Sequence, residues 1–438
     1  MNLFQTIYNS AIIAAVPLMR LYGLFDEKVR EGLAGRKRLE QRLRAFASTE
    51  KPEPIVWFHV SSVGEFEQAR PVMNRLTEML DGKLTIVLTF FSPSGLNYYE
   101  KHDRSRKNDA IRFVDYLPID TTGNMRLALE SIKPKAIIYT KYDVWPNLAI
   151  EASRKHIPQI LASGTLSPGS RNLSLPARIV TSKAYSMLDT IAAISDEDAE
   201  RFRILARGGP EIIVVGDTRF DQVKERADNV GITLPKAILK SGKKLIIAGS
   251  TWPQDEKVVV KGYRDFIDEY ESSMLVIVPH EPTAKRIKEI ESLLDEEDLT
   301  HELLSNIERT ERFDREVLIV DGIGFLAELY RFGAVAYVGG GFTTGVHSVL
   351  EPAVMGIPII FGPRHENSNE ASALLRLGSA REVKNQKDFK NSLIELLLNE
   401  RIRQSAGEKA WDFVRRNCGS SQKTASIIQR YLGSESIR

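Results

Sequence analysis

The sequence predicts an α/β fold with two doubly wound, Rossmann-like domains behind an N-terminal helical segment. Short apolar runs alternate with amphipathic stretches, which is typical of parallel sheets covered by helices on both faces. The alternation is interrupted once, by a polar and poorly periodic stretch at 221–242, and then resumes. A chain of 438 residues is too long for one ordinary core, so two domains of roughly 200 residues are expected.

The first domain is assigned to residues 49–220, and the charged, proline-containing TEKPEP marks its start. Its helical stretches are clearest at 66–80 and 147–155. Its predicted strands are 55–60, 84–90, 136–140, 159–162, 190–194 and 211–215.

The second domain is assigned to 243–420, with 221–242 as a linker and 421–438 as a terminal helix that crosses back to the first domain. Two such domains with their loops facing a central cleft can hold two substrates. No G-x-G-x-x-G follows the first strand of either domain, which counts against a dinucleotide-binding fold. The predicted strands of the second domain are LIIAGS, LVIVPH, VLIVDG, AVAYVG and IPIIFG.

Composition and charge exclude several classes of protein. Lys and Arg number 60 against 58 Asp and Glu, so the charge gives no sign of a nucleic-acid partner. The single cysteine, Cys418, excludes a disulfide framework within the chain and fits a reducing compartment. No Cys/His cluster has zinc-site spacing, and no metal site is predicted.

The N-terminal segment, 1–48, combines an uncharged run at 3–19 with a basic stretch at 26–44 that carries seven positive and four negative residues. Nothing basic precedes the apolar run, unlike in a secretory signal. The run is short for a membrane span, contains polar residues and is interrupted by Pro17. We therefore predict a shallow anchor on the cytoplasmic face of a membrane, with an ordinary packing helix as the alternative.

The glycine-rich stretch at 338–370 predicts a phosphate site in the second domain. Gly340 and Gly341 follow a buried strand, and backbone N–H groups at such a turn attract phosphate when a helix begins there. His347 and Glu351, four residues apart, are expected on one face of that helix, where Glu351 can accept hydrogen bonds from ribose hydroxyls. A structural turn without a ligand is the alternative. Asn369 and Glu370 occupy the polar turn after the next strand.

Two further turns of the second domain are predicted to meet the glycine-rich stretch at one sheet edge. Gly249, Ser250 and Thr251 offer backbone and hydroxyl donors to a phosphate. His280 ends the next strand. His347 is better suited to donating a hydrogen bond than to acting as a nucleophile, because no Ser or Cys nucleophile motif accompanies it.

In the first domain, Ser62, Gly64 and Glu65 follow the first strand. Glu65 is placed to act as a general base, although an acidic residue in the first helical turn also favours the helix dipole. Ser94 lies in a turn that can hold an anion, with helix capping by Ser92 or Ser94 as the alternative.

Another turn of the first domain contains Lys141 and Asp143. Lys141 can meet a phosphate or carboxylate while Asp143 orients it. A plain ion pair between these two side chains is the alternative.

These motifs together resemble the 3-deoxy-D-manno-octulosonic acid (Kdo) transferase family of lipopolysaccharide synthesis. The resemblance implies a GT-B glycosyltransferase fold, CMP-Kdo as donor, a lipid A precursor as acceptor, inversion at the anomeric carbon, and no cofactor or required metal. It also implies association with the inner face of the cytoplasmic membrane. The motifs that carry it, in chain order, are HVSSVGE, TFFSPSG, YDVWPN, VVGDTRFD, AGSTW, GGGFTTGVHSVLEPAVMGIPIIFGP and the N-x-x-E of 367–370.

The resemblance also implies roles for individual residues. Glu65 is similar to the general base of the family, and Glu351 to the carboxylate that binds the ribose of CMP. The implied nucleotide contacts are Ser250, Thr251, Gly340, Gly341 and Asn369.

The chain departs from the family pattern at three positions. Many members have an acidic residue at Lys141, an arginine at Thr165 and a glutamate at Phe325. Arg171 is the candidate to replace the missing arginine in acceptor recognition.

Two alternatives to Kdo transfer stay open on sequence grounds. One is another GT-B nucleotide-sugar enzyme, either a different glycosyltransferase or an epimerase. The other is a non-catalytic, membrane-docked sensor of nucleotide sugars.

Overall fold

The computed structural model describes residues 3–103, 108–175, 177–228, 234–270, 272–307, 313–324 and 326–433. It divides into two compact units. The first comprises Met1–Gln222 and Cys418–Arg438, and the second comprises Val223–Asn417. The predicted Phe325 departure lies outside the described residues.

The first unit is built on a seven-stranded parallel sheet of order β3-β2-β1-β4-β5-β6-β7. Its central strands are apolar and fully buried, as expected for a sheet covered on both faces. The strands are β1 (Ile55–Val60), β2 (Thr85–Phe90), β3 (Ile111–Tyr116), β4 (Ala136–Thr140), β5 (Gln159–Gly164), β6 (Thr190–Ala193) and β7 (Glu211–Val214).

Helices cover both faces of this sheet. The terminal helix α20 packs on α4, and the Tyr431 hydroxyl lies 2.7 Å from the Thr190 hydroxyl on β6. The helices are α1 (Leu3–Tyr22), α2 (Glu27–Gly35), α3 (Leu39–Ala47), α4 (Val63–Met79), α5 (Pro93–Tyr98), α6 (Thr122–Ile132), α7 (Pro146–Arg154), α8 (Ala177–Tyr185), α9 (Asp196–Ala206) and the terminal α20 (Ser420–Gly433). Helix α10 (Thr218–Asp228) begins in the first unit and ends in the second.

The second unit has its own seven-stranded parallel sheet of order β10-β11-β9-β8-β12-β13-β14. The strands are β8 (Lys244–Thr251), β9 (Ser273–Pro279), β10 (His301–Leu303), β11 (Val317–Ile319), β12 (Gly333–Val338), β13 (Ile359–Phe361) and β14 (Ala380–Glu382). The helices are α11 (Lys236–Leu239), α12 (Pro253–Ile267), α13 (Ala284–Glu296), α14 (Leu304–Ile307), α15 (Leu326–Leu329), α16 (Leu350–Val354), α17 (Asn369–Arg376), α18 (Gln386–Leu398) and α19 (Glu400–Asn417).

The prediction of two doubly wound parallel sheets is confirmed. Every predicted strand is present, and 55–60 and 136–140 have the predicted bounds. Three strands at sheet edges, β3, β10 and β14, were not predicted. The segment expected to be a linker contains α11 and the end of α10.

The strand order of each sheet reverses beside its first strand. In the first sheet β1 lies between β2 and β4, and in the second β8 lies between β9 and β12. Ligands of open α/β sheets bind at such switch points, outside the carboxyl ends of the strands. The predicted site residues that follow these strands therefore lie where each fold favours a ligand.

Helix α1 runs without interruption through Pro17, which differs from the predicted break. One face docks on the first unit: Gln5 Nε2 donates to Glu151 Oε1 (2.7 Å), and the Tyr8 hydroxyl donates to Asp120 Oδ2 (3.1 Å). The opposite face carries exposed apolar side chains, among them Leu3, Ile7, Leu18 and Leu21. Over the part of the chain described, no helix combines the length and apolar character needed to cross a membrane.

Candidate active-site residues in the two units

Glu65 is a nearly buried carboxylate at the switch point of the first sheet. Ser62 caps α4 by accepting a hydrogen bond from the Glu65 N–H (3.4 Å), which fixes the first helical turn. The Glu65 side chain folds back, and its Oε2 accepts a hydrogen bond from the Ser61 N–H (2.6 Å). Glu65 is the third residue of the helix, as in a capping box, but its side chain accepts from Ser61, one residue before the N-cap Ser62, so part of its role is structural.

Burial raises the pKa of the Glu65 carboxyl, and the Ser61 N–H, the charge of Lys141 and the Ser62 hydroxyl offset only part of that rise. A raised pKa makes a carboxylate a stronger base at neutral pH than an exposed one. The geometry therefore gives Glu65 both a fixed orientation and increased proton affinity.

Asp143 and Lys141 follow the neighbouring strand β4. Burial, with a further contribution from the charge of Glu65, raises the pKa of Asp143 to about 7. Lys141 adopts a left-handed backbone conformation, with φ of 65°. No ion pair between Lys141 and Asp143 occurs among the described residues, so the predicted pairing is wrong; both groups interact electrostatically with Glu65 instead.

A buried histidine links the turns after β1 and β4. Trp145 Nε1 donates to His59 Nε2 (2.9 Å), so the ring proton of neutral His59 resides on Nδ1, 3.0 Å from the Thr89 hydroxyl. Burial lowers the pKa of His59 to about 3, which keeps the ring neutral. His59 therefore positions Trp145. Trp145 lies in the YDVWPN motif, but its hydrogen bond to His59 could not be predicted from the sequence.

The remaining acceptor-side predictions occupy less constrained positions. Ser92 caps α5 through the Gly95 N–H (3.3 Å), and the exposed Ser94 hydroxyl lies 3.1 Å from the Ser92 hydroxyl. The capping alternative is therefore correct for Ser92. Gly64 faces open space in the first turn of α4. Arg171 is exposed in a short helical turn in the loop after β5.

In the second unit, the glycine-rich loop is closed on itself and on the neighbouring strand turns. The Gly340 N–H donates to Asp255 Oδ2 (2.9 Å), and the His347 N–H donates to the Gly339 carbonyl (3.0 Å). The Gly339 and Gly345 N–H groups are also used, by the carbonyls of Gly249 and Gly340. The Gly340 N–H, which was predicted to contact a phosphate, is therefore already bonded within the protein.

The glycines themselves are required by close backbone approach. A Cβ at Gly341 would lie 2.5 Å from the Gly362 nitrogen, and one at Gly345, which has φ of 121°, would lie 2.5 Å from Asn367 Oδ1. The Gly362 backbone cannot move aside as a flexible side chain can, and the positive φ of Gly345 itself favours glycine. The loop therefore forms a rigid wall that only glycine permits at these positions.

Two histidines and a tryptophan from three loops stack beside this wall. The rings of His280 and His347 are 4.6 Å apart, and Trp252 stacks on His280 at 4.9 Å. Trp252 Nε1 donates to His347 Nε2 (3.0 Å), which places the proton of neutral His347 on Nδ1. Burial, together with the nearby His280, lowers the pKa of His347. His347 is thereby held as a neutral hydrogen-bond donor.

The prediction that His347 and Glu351 share one helix is wrong. Helix α16 has only five residues, and His347 precedes it in an irregular segment. The loop takes this course because the His347 N–H is engaged by Gly339, which is not a helical hydrogen bond. Glu351 is partly exposed, and its Oε1 lies 3.6 Å from Arg226 Nη1.

The other donor-side predictions are mostly engaged in local contacts. The buried Thr251 hydroxyl donates to Glu256 Oε1 (2.8 Å), and Ser250 has a left-handed backbone with φ of 53°. A Cβ on Gly249 would collide with the Tyr330 hydroxyl at 2.2 Å. At the start of α17, Asn369 is exposed, and Glu370 accepts a hydrogen bond from the Ser368 hydroxyl (2.9 Å).

Four residues that organise the second site were not predicted. Asp255 holds Gly340 and also accepts a hydrogen bond from the Tyr337 hydroxyl (2.8 Å). Asn367 Nδ2 donates to the Val346 carbonyl (2.9 Å), and Trp252 and Arg226 contact His347 and Glu351 as described. The AGSTW motif contained Trp252, but nothing in the sequence indicated its partner. Within the described ranges, no group of three or more His, Cys, Asp or Glu side chains is arranged to hold a metal ion.

The two parallel-sheet α/β units place the protein in a fold class that resembles the GT-B glycosyltransferases. A UDP-GlcNAc 2-epimerase from Neisseria meningitidis, solved with UDP-GlcNAc bound, superposes with a TM-score of 0.60 at 14% identity, covering 86% of this chain and 99% of that one. A putative UDP-N-acetylglucosamine 2-epimerase from Listeria monocytogenes gives 0.59 at 11% identity, covering 88% and 98%. At these identities the similarity concerns the fold alone.

Sequence comparison shows which known proteins the chain resembles. The family model described as 3-Deoxy-D-manno-octulosonic-acid transferase (kdotransferase) matches residues 37–222. The 3-deoxy-D-manno-octulosonic acid transferase of Haemophilus influenzae is 24% identical over 440 residues, covering 98% of this chain and 99% of the relative. The Aquifex aeolicus protein of the same name is 28% identical over 372 residues, covering 82% and 94%. The predicted resemblance to the Kdo transferase family is confirmed.

Proposed function

We propose that the protein transfers Kdo from CMP-Kdo to a lipid A precursor, with inversion at the anomeric carbon. The observation that carries the proposal is Glu65, an oriented carboxylate of raised pKa at the switch point of the first sheet, within a chain related to Kdo transferases. Inverting transfer needs one base to remove a proton from the acceptor hydroxyl.

In the proposed reaction the acceptor oxygen attacks the anomeric carbon of Kdo, and the bond from that carbon to the CMP phosphate oxygen breaks. CMP leaves with the bonding electrons, and Glu65 takes the hydroxyl proton. Trp145, held by His59, and the Lys141 ammonium border the acceptor-side turn. No cofactor or metal ion is assigned a role.

The donor is proposed to bind to the second unit. The neutral His347 offers its Nδ1–H to the phosphate of CMP, and Glu351, with Arg226 beside it, accepts from the ribose hydroxyls. Ser250, His280, Asn369 and Glu370 surround these groups as further contacts. The rigid glycine loop excludes water from one side of the donor, which strengthens these hydrogen bonds.

The exposed apolar face of α1 supports a membrane-surface location. Such a face, flanked by basic residues, is typical of helices that lie in the interface with anionic lipid. We propose that α1 lies flat on the cytoplasmic surface of the inner membrane, with its polar face docked on the first unit through Gln5 and Tyr8.

The test is an assay of purified protein with CMP-Kdo and a lipid A precursor in detergent, followed by mass analysis of the lipid. We expect the acceptor mass to increase by one or more Kdo units, which also counts how many are added. Release of CMP without a change in lipid mass would contradict the proposal. Conversion of UDP-GlcNAc to its 2-epimer, measured in parallel, would favour the epimerase alternative.

A further inference from the structure

Two adjoining cavities lie between the N-terminal helices and the sheet of the first unit. One, of about 300 Å³, is lined mainly by apolar side chains of α1 and α2 and by the turns after β2 and β4. The other, of about 460 Å³, has four cationic side chains in its lining, beside apolar residues; the cations are Arg20, Arg30, Arg36 and Lys37. Both volumes are within or near the size of ordinary ligand pockets.

The apolar cavity is formed by the face of α1 that packs on the rest of the first unit. Ile12, Ala15 and Met19 of α1 face Val29 and Leu33 of α2 across it. The carboxylate of Asp120 at its edge is already satisfied, because it accepts hydrogen bonds from the Tyr8 hydroxyl and from two backbone N–H groups at the start of α7. The Asp120 carboxylate therefore leaves no unsatisfied acceptor that would disfavour an apolar ligand in the cavity.

Arg36 separates the two cavities and is itself fixed. Its guanidinium donates to the carbonyls of Gly32, Phe91 and Leu117 at 2.8–2.9 Å and stacks on the Tyr116 ring. Burial lowers the pKa of Arg36 to about 10. Most hydrogen-bond donors of Arg36 are therefore already used, and the side chain forms part of the wall between the cavities. An anion in the larger cavity would contact Arg20, Arg30 and Lys37.

The position of the apolar cavity indicates which kind of ligand it binds. Ser92 and Trp145, from the two turns beside Glu65, line its inner end. A ligand with an apolar chain in this cavity would present an anionic head to the neighbouring cations and its sugar to the candidate base. Bulk phospholipid shares the chain and the phosphate but has no sugar hydroxyl for that base.

We propose that this cavity holds one acyl chain of the phosphorylated lipid acceptor and that the adjoining cationic cavity holds its phosphate. The proposal rests on the proposed function and adds a site for the chain. Because the acceptor already resides in a lipid surface, the cavity contributes to selection and orientation of the acceptor more than to its affinity.

The experiment uses a matched pair of substitutions on α1. Ala15→Phe fills the cavity, whereas Ala14→Phe adds the same side chain to the exposed face of the helix. Binding of alkyl phosphates of six, eight and ten carbons to the full chain is measured by calorimetry without lipid. In the unmodified protein we expect affinity to rise up to about fourfold per added methylene. Ala15→Phe should abolish this dependence, and Ala14→Phe should keep it.

Transfer assays connect the cavity to the acceptor. Ala15→Phe should raise KM for the acylated acceptor by tenfold or more and leave KM for the fully deacylated, phosphorylated acceptor unchanged; turnover of the latter shows that the variant is folded. An equal effect on both acceptors, or no effect on either, would overturn the proposal. Displacement of decyl phosphate by phosphatidylglycerol as effectively as by the acceptor would also overturn it.

Failure of the proposed function gives a different result. In that case the unmodified protein transfers Kdo to neither acceptor, while the alkyl phosphate titrations still report whether the cavity takes a chain beside an anion. Absence of chain-length dependence in those titrations overturns the cavity assignment regardless of the reaction.

Discussion

The candidate sites of the two units occupy equivalent places and contain different chemistry. Each lies at the carboxyl ends of parallel strands, beside the switch point of a seven-stranded sheet. In the first unit the central groups are the carboxyls of Glu65 and Asp143, both with raised pKa values. In the second, two stacked histidines lie against a glycine loop whose N–H groups are already bonded.

The difference shows how one fold is adapted to two tasks. Burial of carboxyls next to each other tunes proton affinity, which suits a site that moves a proton. A loop closed by Asp255 and Asn367 has no such freedom, but the His347 ring that it carries is held in place before a ligand arrives. We infer that the first site performs the chemistry and the second recognises the donor.

The largest expected effect comes from Glu65→Gln, which keeps the shape of the side chain but removes the base. Turnover should fall by about 10²–10⁴, the usual contribution of general base catalysis. Affinity for CMP-Kdo, measured by calorimetry, should be unchanged. Glu67→Gln, two residues further along α4, is the control and should retain turnover. Near-normal turnover of Glu65→Gln would show that the first site does not perform the proton transfer.

Gly341→Ala should have the next largest effect and should act on the second site alone. The added Cβ meets the Gly362 backbone at 2.5 Å, so the loop must shift. A misplacement of about 1 Å can cost roughly 10²-fold in catalysis, and we expect a loss of donor affinity on that scale.

The control for this variant is Gly123→Ala on α6, where the added Cβ meets nothing within 4 Å. It should leave donor affinity unchanged. The pH dependence of residual turnover should be the same in Gly341→Ala as in the unmodified protein. A changed pH profile would mean that the two sites are not separate in function.

The central strands could be predicted from the sequence because they are continuous apolar runs, buried on both faces. The run IVWFHV of β1 is fully buried and ends at Ser61, where the turn begins. Edge strands lack this signal, since β10 and β14 have only three residues each and include Glu302, Arg381 and Glu382. A three-residue polar strand forms because a neighbouring strand supplies its hydrogen bonds. The local sequence contains no pattern that predicts which strand will be its neighbour.

The candidate sites show the same limit. The glycines were predictable, because few residues tolerate such turns, but the partner of Gly340 was not. Asp255 is 85 residues away, and an acidic residue near the start of a helix already has a local explanation. Likewise, the His347 to Glu351 spacing suggested a helix, and the tertiary hydrogen bond from His347 to Gly339 overrode it.

Trp252→Phe tests whether the second site depends on a fixed histidine tautomer. Phenylalanine keeps a ring for stacking on His280 and removes the N–H that bonds to His347. One hydrogen bond contributes about 0.5–1.5 kcal/mol, so affinity for CMP-Kdo should fall by roughly two- to tenfold.

The control for Trp252→Phe is Trp411→Phe, which changes an exposed tryptophan on α19 and should leave the affinity for CMP-Kdo unchanged. An unchanged affinity in Trp252→Phe would mean that His347 is oriented by other contacts.

Asp143→Asn tests the role of the first site through the pH dependence of the transfer rate. The pKa of Asp143 is about 7, so its carboxyl ionises near neutrality and then places a second negative charge near Glu65. That charge strengthens the base, and the rate of transfer should show an inflection near pH 7. The asparagine variant should lose this inflection and keep the limb at lower pH that belongs to Glu65. Persistence of the inflection would assign it to another group.

Lys141→Met should have the smallest effect, which is a shift of the limb of the pH–rate profile that reports the ionisation of Glu65. The positive charge of Lys141 lowers the pKa of Glu65, so its removal raises that pKa further, and the rate should begin to fall at a higher pH as the solution is acidified. Lys141→Arg keeps the charge and should keep the limb in place. The shift is measured from the pH dependence of kcat at saturating donor and acceptor, which separates it from any weakening of acceptor binding. A limb that stays in place in Lys141→Met would mean that Lys141 is not electrostatically coupled to the base, and that its charge serves the acceptor alone.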